Sequence, residues 1–203
     1  MAGRRLFVGL PLPVALGESL LSQLEPLLGG DLRVYPARDL HLTLHFLGMR
    51  DEGEYDALER TISTALAECH APSLCIDHCG VFPLHGRPRI LWAGVSEAPG
   101  CEGRLAELFT ALEDALVVPE MRGGSESRPH ITIARVPAAG FPPEPADWLG
   151  ASLEFSWAPS TAVLFESRPE SPQARYLPQG LFELDPPSTP GGGVGPRQSP
   201  VEG

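Results

Sequence analysis

Two four-residue segments of this chain follow one pattern. His41, Leu42, Thr43 and Leu44 read histidine, aliphatic, threonine, aliphatic, and His130, Ile131, Thr132 and Ile133 repeat it 89 positions later. In an extended strand, successive side chains point to opposite faces. His41 and Thr43 therefore share a face, as do His130 and Thr132, while the four aliphatic residues turn into a core. Two such strands would present two imidazoles and two hydroxyls to a common cleft. That set suffices for acid–base attack on a phosphodiester without a metal. Imidazole, with an ordinary pKa near ~6.5, can act as base in one ring and acid in the other. Hydroxyls can hold the non-bridging oxygens whose charge grows in the transition state. A chain of this composition would hold only ~0.04 such segments by accident, so a pair is informative.

The charge pattern narrows the substrate. Net charge is −11, with acids concentrated in the helical stretches, which excludes a general nucleic-acid-binding surface. All 15 basic residues are arginine. Arg33 and Arg38 precede His41, Arg122 and Arg128 precede His130, and Arg135 follows it. Arginine is planar, bidentate and always charged, so it matches phosphate oxygens well. An acidic exterior around an arginine-lined cleft suits a small anionic substrate or an RNA end. Strict alternation puts His45 on the His41 face as a candidate substrate contact; Arg128 and Tyr176 are further candidates. Phe46 and Trp92 read as core.

Cys69, His70, Cys75, His78, Cys79 and His85 invite a metal site, but they contain no C-x-x-C and fit no structural zinc spacing. The expectation is no metal and no cofactor, with the four cysteines as reduced thiols of a cytoplasmic protein. The apolar start, from Leu6 to Leu16, is interrupted by Pro11 and Pro13, so it reads as a strand leading into a helix rather than a signal peptide. No run approaches the ~20 apolar residues needed to span a bilayer, so no membrane association is expected.

The elements that must position the two motifs follow from periodicity. Strands are expected at 4–10, 40–47, 73–82, 89–95, 130–136, 153–157, 162–167 and 175–184. Helices are expected at 14–28, 51–69 and 101–116, each with an apolar stripe. The segment at 122–128 reads as a Gly/Ser loop and that at 137–145 as an irregular connection. This order predicts an α+β fold rather than a doubly wound parallel sheet. The architecture expected is bilobal: two pseudo-symmetric lobes of antiparallel sheet backed by helices, with the motif strands facing each other across a central cleft. Residues 1–185 form that single domain, and 186–203 form a disordered tail.

The residues that carry the motifs also resemble a family. The chain is similar to the two-histidine phosphoesterases, and among them to the RNA 2′,3′-cyclic phosphodiesterases described as 2′-5′ RNA ligases. The likeness rests on Arg5-Leu6-Phe7-Val8, Leu12-Pro13, the run from His41 through Phe46-Leu47-Gly48, Ile90-Leu91-Trp92, the run from Arg128 through Arg135, and Arg175-Tyr176. It implies metal-free opening of a 2′,3′-cyclic phosphate to a 2′-phosphate. It assigns proton donor to His41, proton acceptor to His130, and phosphate binding to Thr43, Thr132 and Arg135. The substrates implied are RNA 3′ ends or small cyclic nucleotides, taken by a monomer. The loop at 123–127 departs from the family in lacking an aromatic residue and extra basic charge. Two other activities share the motif: 2′-5′ phosphodiester cleavage or ligation, and RNA-end binding with little catalysis.

The tail yields a first expectation. It has five prolines and only Val194 and Val201 as aliphatic anchors, too little apolar surface to offset its ordering entropy. Truncation after residue 185 should leave the melting temperature and the KM for RNA ends unchanged. A KM shifted more than about fivefold, roughly 1 kcal/mol, would make the tail part of the working structure.

Overall fold

The computed structural model describes residues 3–28, 32–116, 128–138, 145–169 and 175–186; Arg122, the loop at 123–127 and residues 187–203 lie outside them. Nine strands form one sheet: β1 (Arg4–Pro11), β2 (Arg33–Val34), β3 (His41–Arg50), β4 (Leu74–Phe82), β5 (Ile90–Glu97), β6 (His130–Arg135), β7 (Ser152–Trp157), β8 (Thr161–Ser167) and β9 (Tyr176–Glu183). Eight run in the order β7, β4, β5, β6, β3, β1, β8, β9, all antiparallel, and the short β2 pairs with β6. Four helices accompany them: α1 (Val14–Leu24), α2 (Tyr55–Leu66), α3 (Arg104–Ala115) and α4 (Pro145–Gly150). The fold is α+β, and the sheet divides at its centre into two four-stranded halves. β3 corresponds to β6, β1 to β5 and β8 to β4 about an approximate two-fold.

The motif strands meet at that centre through the pair Leu42 and Ile131. They are bonded neighbours rather than strands facing each other across a gap, because the aliphatic residues of both motifs enter the same core. Leu42, Leu44, Ile131 and Ile133 are at most 6% exposed. They pack with Leu20 and Leu24 of α1, Ile62 and Leu66 of α2, and Leu105, Leu108 and Leu112 of α3. Each such side chain contributes about 1.5–3 kcal/mol by burial. A one-residue slip would turn all four outward. The helices cover this face, and the histidines occupy the other.

Within the two motif strands, strict alternation fails at three places. Along β1 and β3, Val8 pairs with His45 but Gly9 with Thr43, so Leu44 is an extra residue. Leu47 is extra in the same way between Phe46 and Gly48. Along β5 and β6, Trp92 pairs with Thr132 but Leu91 with Ala134, which makes Ile133 extra. Each bulge reverses the faces of the residues beyond it.

Element ends differ from the periodic reading for local reasons. α1 stops at Leu24 and becomes a 3-10 turn, Glu25–Leu27. Pro26 has no N–H to give the Ser22 carbonyl, and its ring crowds that turn. α2 starts at Tyr55, after a 3-10 turn closed by a capping box in which the Asp51 N–H donates to Glu54 Oε2 at 2.7 Å. β3 runs on past Gly48 to Arg50. β2 and α4 are too short to show a period.

Two glycines are required by close approach. A Cβ on Gly80 would lie 2.1 Å from the Trp92 ring, and one on Gly94 would lie 2.0 Å from the His78 ring. Trp92 is 1% exposed and cannot move, whereas the His78 side chain is half exposed. Gly80→Ala should therefore cost about 1–3 kcal/mol of overpacking. Gly94→Ala should cost clearly less, because the imidazole swings out. Thermal denaturation of the two variants side by side checks the ordering; equal losses would contradict it.

Candidate active site

His41 opens β3 with its ring packed among aromatics. Phe7 stacks on it at a centroid distance of 4.8 Å, Tyr176 meets it edge-on at 4.8 Å, and Phe165 lies at 5.8 Å. Nδ1 lies 2.7 Å from the main-chain oxygen of Asp39. A carbonyl only accepts, so Nδ1 carries a hydrogen and Nε2 is the free end. Burial pulls the His41 pKa down to about 4. The Asp39 carbonyl opposes this, and the charge of His130 adds to it.

His130 repeats the arrangement in the other half. Its Nδ1 donates to the Arg128 oxygen at 2.8 Å, again two residues upstream. Phe82 stands edge-on at 5.0 Å and Trp92 lies at 5.8 Å. Burial lowers its pKa too, partly offset by the Arg128 carbonyl. The Arg128 side chain is exposed, so the position this residue fixes is that of His130, through its main chain. Thr43 and Thr132 are half-buried on the face of the two imidazoles, as alternation requires.

The bulges decide what else reaches this face. Ile133 is the extra residue in β6, so Arg135 pairs with Ile90 on the imidazole face instead of turning into the core. There its Nε donates to the Tyr35 hydroxyl at 2.8 Å, which strengthens its hold on the charge. The Tyr35 and Tyr176 rings lie parallel at 6.5 Å, and the Arg175 guanidinium covers Tyr35 at 4.9 Å. Burial pushes the Tyr176 hydroxyl pKa upward. Arg135, Arg175, Tyr35 and Tyr176 thus form one continuous cluster that ends on His41.

The matching bulge in β3 has the opposite effect on His45. His45 pairs with the fully buried Val8 and points to the helix layer, toward Glu113 and the end of α3. Its Nε2 is buried with no partner among the described residues, and burial lowers its pKa. His45 is therefore not brought to the imidazole pair, which corrects the alternation-based placement. Phe46 takes the exposed position instead: it lies 6.1 Å from Phe7 and is 52% exposed. It is not a core residue, and in the two-fold frame it is the counterpart of Arg135. Trp92 is buried as expected, but on the imidazole face against His130 rather than in the helix-covered core.

Sequence reasoning missed Tyr35, Phe7, Phe165, Phe82 and His78 as residues of this face. The opening strand carried a signal for Phe7, because alternation sets it opposite Leu6 and Val8. The cysteine and histidine run disperses: Cys79 pairs with Ala93 on the helix face, and His78 pairs with Gly94 on the imidazole face. All four cysteines are free, and burial pushes the Cys79 thiol up to about 12. Among the described residues no three His, Cys, Asp or Glu side chains converge to hold a metal ion, and no helix is long and apolar enough to cross a membrane.

Comparison with known proteins agrees with this geometry. An RNA 2′,3′-cyclic phosphodiesterase of Thermus thermophilus is 35% identical over 151 residues, 68% of this chain and 73% of that protein. One of Archaeoglobus fulgidus is 29% identical over 144 residues, 70% of this chain and 77% of that protein. The crystal structure of TT0787 of Thermus thermophilus superposes with a TM-score of 0.64 at 28% identity, covering 89% of this chain and 97% of that one. The family model of the 2′-5′ RNA ligase superfamily matches residues 13–167, most of the chain, and the chain belongs to that superfamily.

Proposed function

We propose that this chain is an RNA 2′,3′-cyclic phosphodiesterase, a hydrolase of phosphoric ester bonds that opens the cyclic end to a 2′-phosphate with its own imidazoles and no metal. The observation that carries this reading is the matched pair of histidines at the sheet centre. Each has Nδ1 committed to a main-chain carbonyl two residues upstream and Nε2 left free. The curated relatives bearing that activity support the substrate class.

The mechanism follows from these atoms. His130 Nε2 takes a proton from water as the water oxygen bonds to phosphorus. The bond from phosphorus to the ribose 3′ oxygen breaks on the opposite side, and His41 Nε2 gives that oxygen its proton. Thr43, Thr132 and Arg135 hold the non-bridging oxygens. Phe46, exposed on the same face, offers a ring to the terminal base. The product keeps the 2′ phosphate, and the pair ends with its proton exchanged. A cytoplasmic site of action fits the four free thiols.

The decisive experiment is product analysis on an oligonucleotide ending in a 2′,3′-cyclic phosphate, with EDTA present. A 2′-phosphate end formed at undiminished rate is expected. Loss of turnover in EDTA, restored by a divalent cation, would refute the metal-free mechanism. A joined product from added 5′-hydroxyl RNA would instead indicate 2′-5′ ligation.

His41→Ala and His130→Ala should each lose about 10²–10⁴-fold in kcat with the fold intact. The double variant should fall far short of the product of the two losses, because the residues act as a unit. Thr43→Val and Thr132→Val should lose about 10–10³-fold, as removal of one transition-state donor does. A histidine variant within about threefold of wild type would return that residue to a structural role.

The pH profile has a definite sign. The active form needs one imidazole protonated and one free, and both are depressed in the empty cleft. The bell of kcat/KM, which reports the free enzyme, should therefore lie on the acid side of ~6.5. Bound phosphate is an anion and favours imidazolium, so the alkaline limb of kcat should lie at higher pH than that of kcat/KM. Coincident alkaline limbs would show that the substrate's charge does not reach the pair.

A further inference from the structure

One pocket of the imidazole face shares His41 and Tyr176 with the chemistry above and otherwise extends beyond it. Beside His41, away from the sheet centre, this pocket of about 360 Å³ opens across β1, β8 and β9. Its walls are apolar: Val163, Phe165, Pro178 and Leu181. Asp39 and Arg38 supply its polar edge. Asp39 is 8% exposed, and among the described residues its carboxylate meets no hydrogen-bond donor. Asp39 is one of the residues that line the pocket. Burial raises the Asp39 pKa, and the charges of Arg38 and Arg175 pull it back. A buried carboxylate without a donor is costly. A ligand that brings two donors between flat apolar walls would satisfy it.

The reaction places this pocket relative to the substrate. His41 marks the side from which the 3′ oxygen departs, whereas Phe46 lies five residues farther along β3. The terminal base at Phe46 and an occupant of this pocket are therefore different groups. The group next to the terminal nucleoside in an RNA chain is the nucleotide on its 5′ side, and Arg38, which lines the pocket, offers a guanidinium to the linking phosphate.

We propose that this pocket binds the nucleobase immediately 5′ of the cyclic-phosphate nucleotide, and that Asp39 selects guanine there by accepting hydrogen bonds from N1–H and the 2-amino group. A carboxylate accepts two parallel donors well, and among the four bases only guanine presents two adjacent donors on its Watson–Crick edge. The volume admits a purine between Phe165 and Leu181. The inference rests on the cyclic-phosphodiesterase activity proposed above and adds to it a preference that a mononucleotide cannot show.

The test uses the full chain and dinucleotides ending in uridine 2′,3′-cyclic phosphate, with guanosine, inosine, adenosine, cytidine or uridine at the 5′ position. Uridine 2′,3′-cyclic phosphate alone is the reference. The kcat/KM for guanosine should exceed that for uridine by about tenfold, the order of one bidentate base contact. Inosine, which lacks the 2-amino group, should fall between them. Asp39→Asn should bring the ratio of guanosine to uridine within about twofold. Equal kcat/KM for all five dinucleotides, with the reference hydrolysed, would overturn the pocket's role and leave the activity standing. No hydrolysis of any cyclic end would overturn both. An unchanged guanosine ratio in Asp39→Asn would remove Asp39 from recognition. If that variant does not fold, the comparison of guanosine with inosine on the wild-type chain decides, and equality of the two refutes the proposal.

Discussion

The face on which each motif residue stands depends on strand register at the centre of the sheet. The two motif strands share one direct pair, Leu42 with Ile131, yet it lies within a core that fixes all four motif aliphatics. Period-2 alternation converts that burial into the exposure of His41, Thr43, His130 and Thr132. The hydrophobic core thereby aims the chemistry: what keeps the imidazoles outward is the cost of turning leucine and isoleucine to water. The bulges then break alternation just beyond each threonine. Without the extra Ile133, Arg135 would point among the helices. Without the extra Leu44, His45 would sit outward and Phe46 would be buried.

Electrostatics completes what register begins. The imidazoles lie among rings that exclude water, which penalises their charged forms. Their Nδ1 hydrogens are tied to carbonyls that partly restore those forms and fix which nitrogen faces the cleft. Arg135 supplies a permanent positive charge, and Tyr35, just after β2, orients its guanidinium. The Arg175 guanidinium lies over the ring of the same tyrosine, so Tyr35 meets two guanidiniums, one at its ring and one at its hydroxyl.

How much of this was legible in the sequence follows from the range of each interaction. The His/Thr pairs and the aliphatic anchors were legible because alternation is local and its period is fixed. The α+β class was legible from the order of periodic segments, and Pro26 already marked a weak end of α1. The bulges were not legible, since an extra residue exists only relative to a partner strand. That is why His45 read as a site residue and Phe46 as core. Phe7 and Phe165 gather around His41 from distant strands, and Tyr35 joins them only through Tyr176; no short window records such contacts. Asp39 was hidden for a different reason: its contribution to His41 is a main-chain carbonyl, which any residue could supply.

A two-fold frame offers two equivalent histidines, but opening a cyclic ester needs one acid and one base. The distinction has to come from what surrounds each ring. Three aromatic rings pack His41 and two pack His130, and the depression of His41 is the one that reaches about 4. A general acid must hold its proton until transfer, so burial, which favours the neutral ring, does not by itself make His41 the donor; an anionic phosphate at the cleft favours the imidazolium form. His41 as the proposed acid therefore depends on the substrate's charge holding the proton there, with His130 as the proposed base. The same frame places Arg135 at one end of the cleft and the exposed Phe46 at the other, through equivalent bulges. The packing around two near-identical motifs thus makes the cleft asymmetric, as the substrate proposed for it is, with phosphate on one side and base on the other.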